Sequence, residues 1–111
     1  MDEYLLVKHL IELNEHANKD GILTLVDYVE SNKWLENSIY RYCLNEIMLN
    51  EEEEFIEKIK YLKLNRNKEE QIIITGFELI REYNNTAYKI ANILGAMMEH
   101  PMSAHELVTN T

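Results

Sequence analysis

Residues 71–98, QIIITGFELIREYNNTAYKIANILGAMM, constrain the fold of this chain more than any other stretch. Apolar side chains recur there every three or four positions, the period of an amphipathic helix and not of a strand. The polar pair Asn84-Asn85 interrupts the pattern once, which predicts two helices folded on each other, each with one glycine inside it. The rest of the chain keeps the same period. Three glycines and one proline in 111 residues are too few for a sandwich or barrel, which needs a turn about every 8–12 residues. The predicted fold is all-α, with five main helices plus a short C-terminal helix. Short connections favour antiparallel neighbours, so the arrangement is an antiparallel bundle or a short array of helical pairs.

The first stripe runs through Leu6, Leu10, Leu13, Ala17, Leu25 and Tyr28, with Gly21 at the same phase. It favours one continuous helix over about 3–31, with Gly21 allowing another helix to cross closely, over the alternative of a break near Lys19-Asp20-Gly21. Ser31-Asn32 supplies the next cap, and Trp34, Leu35, Ile39, Tyr42, Cys43 and Ile47 form a second helical face. Asn50 followed by Glu53 has the spacing of a capping box, opening a third helix that buries Phe55, Ile56, Ile59 and Leu62. Asn67 with Glu70, Asn85 or Thr86, and Ser103 with Glu106 announce the remaining helix starts. The chain is read as one domain over 1–111: a three-helix half 1–64, a linker 65–67, and a C-terminal helix pair with tail 68–111.

Eleven basic against 20 acidic residues give a formal charge of −9. A field of that sign repels phosphates, which argues against nucleic acid and anionic membranes and for a partner protein with a basic surface. The longest unbroken apolar runs are three residues, far short of the ~20 that span a bilayer. A single cysteine, Cys43, cannot form an internal disulfide and suits a reducing cytoplasm.

Chemistry-bearing clusters are sparse. His9, Glu12 and His16 share a helical face and are the candidate metal ligands, but no second ligand pair sits mid-helix at matching height, so no metal or cofactor is expected. Cys43 falls at apolar spacing with no glycine-rich turn beside it, and clustered phosphate-binding glycines are absent, so the chain reads as a non-enzyme. Glu51–Glu54 complement the dipole of the helix they open. Seven tyrosines and one tryptophan are more than the core needs, and such residues favour interfaces. Since Tyr40 and Tyr42 flank Arg41, at least one of them should face outward. The predicted partner-binding patch is Trp34, Tyr40, Glu51, Glu52 and Glu54.

Two segments, 16–26 (HANKDGILTLV) and 74–107 (ITGFELIREYNNTAYKIANILGAMMEHPMSAHEL), resemble the cytoplasmic portion of the flagellar stator subunit, motility protein A, and its proton-channel relatives. Gly95, Pro101, Ser103 and Glu106 fall where the family's C-terminal pattern places such residues. The family's four membrane spans have no counterpart here, and its rotor-facing charged pair falls on Asn18 and Val26, with Lys19 and Asp27 adjacent. The resemblance implies a helical platform without the channel. Three functions follow as expectations: an interaction module associated with motility or membrane-complex machinery, an acidic inhibitor or immunity-type protein masking a basic partner such as a nuclease, or a metal-binding helical protein. A homo-oligomer is compatible with the sequence.

Overall fold

The computed structural model describes residues 2–30, 33–82 and 84–109. They form seven α-helices and two 3-10 turns, with no strand: α1 Glu3–Asp20, a turn at Ile22–Thr24, α2 Leu25–Val29, a turn at Lys33–Glu36, α3 Ser38–Leu49, α4 Glu52–Leu62, α5 Lys68–Glu82, α6 Ala87–Met97 and α7 Ala104–Thr109. The all-α class is as the periodicity predicts. The helix count is not.

The difference begins at Gly21. Its φ of +95° is outside the helical range, and its N–H closes α1 by donating to the Ala17 carbonyl at 2.9 Å. A Cβ here would meet nothing within 4 Å, so the glycine serves backbone conformation and not a close crossing. The predicted continuous helix is therefore two, separated by a 3-10 turn. The break also changes the phase: Val29 is buried and Tyr28 is 45% exposed, the reverse of what an unbroken stripe gives. The cap expected at Ser31-Asn32 lies outside the described residues. Trp34 and Leu35 fall in the second 3-10 turn, and Asn37 caps α3 by accepting from the Ile39 and Tyr40 N–H groups at 2.9 and 3.0 Å.

Asn50 is likewise not the cap of α4. Its side chain turns back to the Glu46 carbonyl at 2.8 Å and carboxylate at 2.5 Å, because α3 runs to Leu49 and needs its C-terminus closed. Glu51 takes the cap position without a side-chain bond. The other starts form as the spacing predicts. Asn67 and Glu70 make a reciprocal capping box, Ser103 and Glu106 make another, and Thr86 caps α6.

Helix α5 is the hub. It packs against α1, α3, α4 and α6, which is why Ile72, Ile73, Ile74, Phe77, Leu79 and Ile80 are all buried where an amphipathic helix would hide one stripe. Gly76 admits α1, whose Leu10 side chain lies 2.8 Å from where a Cβ would stand. The neighbour at this crossing is thus the first helix and not α6. Gly95 admits the link between α6 and α7, with the Met102 carbonyl against it and the Met102 N–H bonded to its carbonyl at 3.2 Å. Glu3 accepts from the Glu99 N–H, and Lys8 donates to the Leu107 carbonyl, tying this tail to α1. The Cα radius of gyration, 12.9 Å, matches the ~13 Å of a single packed body of this length.

Candidate interaction surface

The metal candidates do not converge. His9 is buried, His16 is half-buried against Tyr28 and Asp20, and Glu12 is exposed. Among the described residues no three His, Cys, Asp or Glu side chains gather as a metal would require. His9 instead belongs to a packed aromatic cluster. Its Nε2 lies 2.6 Å from the Tyr40 hydroxyl, its ring stacks on Trp34 at 5.7 Å, and Tyr40 meets Phe77 edge-on at 5.2 Å. Three elements, α1, the second 3-10 turn and α3, are joined here to the α5 hub. Burial drives both partners toward their neutral forms: the imidazole is pushed down to about 4, and the phenol is raised well above its ordinary range. The hydroxyl can donate or accept, so either neutral histidine tautomer completes the bond.

Trp34 and Tyr40 are consequently core, at 5% and 0% exposure. They do not form the outward aromatic half of the predicted patch. A buried hydroxyl needs a partner, and His9, 31 positions away in sequence, provides one that local pattern could not reveal. Tyr42 is the outward member of the pair at 40% exposed. Cys43 is fully buried in the same helix, and burial pushes its thiol up to about 12, so it packs as a small apolar group.

A second polar cluster escaped the sequence reading. Asn14 and Asn18 both donate to the Asn85 carbonyl, at 2.8 and 2.9 Å, and the Asn85 side chain donates to the Leu79 carbonyl at 2.6 Å. Asn84, at φ +58°, donates its N–H to Asn18. The corner between α5 and α6 is thereby pinned on α1. Its one sequence signal is Asn14, an amide lying one helical turn from Leu10 on the buried face of α1.

Glu51, Glu52, Glu53 and Glu54 are all exposed at the start of α4. Exposed apolar side chains lie at both ends of α4. Leu49 is 77% exposed just before α4, Tyr61 70% near its end and Leu64 64% just after it. Tyr42 lines a shallow depression with Lys58, Tyr61, Leu62 and Arg66. Lys58 bridges to Glu46 on α3 at 3.0 Å, and this bond, with the Asn50 amide, holds the Glu46 carboxyl below its ordinary range. The α3–α4 face thus carries carboxylates at one end, exposed apolar and aromatic side chains along it, and lysines toward the other end.

This geometry defines an all-α protein with an outward acidic, partly apolar face, and no described helix is long and apolar enough to cross a membrane. Comparison with protein-family models, with curated proteins and with solved structures finds no match for the chain.

Proposed function

We propose that this chain is a non-enzymatic helical protein–protein interaction module that presents Glu51, Glu52 and Glu54 to the basic surface of another protein. The observation that carries the reading is the exposed glutamate run that opens α4, with Leu49 exposed just before the helix and Tyr61 near its end, on a chain of net charge −9. Carboxylates steer a cationic partner into contact, and a large exposed leucine and tyrosine provide area that gains by leaving water. Trp34 and Tyr40, buried against His9 and Phe77, are not part of this face. The resemblance to the cytoplasmic portion of motility protein A suggests motility or membrane-complex machinery as the partner class, met in the cytoplasm.

The same charge supports a second reading, an acidic inhibitor that masks a basic protein such as a nuclease. Capture from native lysate at low and moderate salt, with bound proteins identified by mass spectrometry, separates the two. Motility or channel components support the first reading, and one nuclease lost steeply with salt supports the second. A Glu51→Lys, Glu52→Lys, Glu54→Lys variant that retains the same bound proteins removes the acidic face from both.

A further inference from the structure

We infer that the depression between the starts of α1 and α5 is a binding site for a linear aliphatic polyamine. It shares no residue with the α4 face and does not rest on the interaction-module reading.

Its lining comes from three segments distant in sequence: the start of α1, the start of α5 and the link from α6 to α7. Its volume is about 560 Å³, within the ~300–1,000 Å³ of small-molecule sites. Met98 is buried there, and Tyr4 and Met102 are half-buried, so part of the lining is apolar. Four carboxylates share it: Asp2, Glu3, Glu69 and Glu99. All four are at least partly exposed, and none is ion-paired among the described residues. Their bonds are to neutral donors. Asp2 accepts from the Leu5 N–H at 3.2 Å, Glu3 from the Glu99 N–H at 2.8 Å and Glu69 from the Asn37 amide at 3.3 Å.

The charge left over decides the sign of the ligand. The N-termini of α1 and α5 offset about half a charge each, and Lys68 is the one lysine of the lining. Against four carboxylates, that leaves about two negative charges. His100 also lines the depression and adds positive charge only when protonated. Lys8, 5.9 Å from the Tyr4 ring, lies outside the lining and donates to the Leu107 carbonyl.

Spacing then decides among cations. Among the described residues no three His, Cys, Asp or Glu side chains gather as one metal ion requires. The carboxylates are therefore too dispersed for a compact divalent cation, which takes several oxygens at once. A polyamine carries its ammonium groups apart on a flexible chain. Those groups can meet carboxylates from all three segments, while the methylenes between them cover Tyr4, Met98 and Met102.

Isothermal titration of the full chain with spermidine at physiological salt tests this, with butylamine and magnesium ion as controls. One site per chain is expected, and neither control binds as tightly. Glu69→Gln with Glu99→Gln removes two of the carboxylates and should weaken spermidine by roughly 2- to 30-fold. Unchanged helical circular dichroism shows that this variant still folds. Glu51→Gln with Glu52→Gln and Glu54→Gln should leave the affinity as it is. That arm separates a site from diffuse attraction to a chain of net charge −9, which falls further with three carboxylates removed than with two. In methyl NMR spectra spermidine should shift Met98 and Met102 and leave Met48 of α3 in place. An absence of saturable binding overturns the inference. So does magnesium binding as tightly as spermidine, or a loss in the Glu51–Glu52–Glu54 variant that equals the loss in the Glu69–Glu99 variant.

Discussion

Burial biases His9, at the centre of the aromatic cluster, toward its neutral imidazole form. His9 is 7% exposed, bonded to Tyr40 and stacked on Trp34, and burial lowers its pKa to about 4. The unfolded chain has the ordinary value near 6.5, so between pH 6.5 and 4 it binds more protons than the folded one. The contribution of neutral His9 is complete above pH 6.5 and is lost as pH falls through that window, amounting to about 3 kcal/mol. Urea unfolding from neutral pH down to about 4 should show this extra loss in the native chain and not in a His9→Gln variant. Equal slopes would mean that His9 is not the group responsible. The Asn14–Asn18–Asn85 cluster is the other buried polar feature, and Asn14 Oδ1 finds no hydrogen-bond partner among the described residues. Both clusters join residues far apart in sequence.

At the scale of elements, the glycines separate by what stands opposite them. A Cβ at Gly76 would meet the Leu10 side chain, a flexible group that must shift within the core, and no backbone atom is among its nearest neighbours. Gly76→Ala is therefore expected to fall within about 1 kcal/mol of the native protein, the gain in helix propensity offsetting the crowding. Gly76→Leu overpacks the α1–α5 crossing and should cost ~1–3 kcal/mol. At Gly95 the obstacle is the Met102 backbone carbonyl, with the Leu107 side chain behind it. Even Gly95→Ala must push the link to α7 away, also at ~1–3 kcal/mol. Thermal melting of the three variants checks the order, and a costlier Gly76→Ala than Gly95→Ala would contradict it. Capping was legible at this scale. The Asn67–Glu70 and Ser103–Glu106 boxes form from residues three apart. Asn50 departs from its spacing because only two residues, Asn50 and Glu51, stand between α3 and α4, and spacing alone cannot say which helix claims its side chain.

At the scale of the molecule, one apolar cluster runs from Leu6 to Leu107 through every long helix, so the chain should unfold as a unit. Trp34 is the single tryptophan and is buried, which makes its emission a probe of the α1–α3 junction. Its denaturant midpoint is expected to coincide with that of helical circular dichroism. An earlier change in emission would show that the His9–Trp34–Tyr40 cluster opens by itself. By itself the sequence determined the all-α class, most helix starts, the buried stripe of α1 and the exposure of Glu51, Glu52 and Glu54. Those follow from residues within about one helical turn, and from the cost of burying adjacent carboxylates. Only the tertiary structure decided that α5 is surrounded, that Gly21 ends a helix, and that Trp34 and Tyr40 lie inside while Leu49, Tyr61 and Leu64 lie outside. A tyrosine or tryptophan is amphipathic and suits core or surface equally. For Tyr40 the choice went to the core because a histidine 31 residues away satisfies its hydroxyl there.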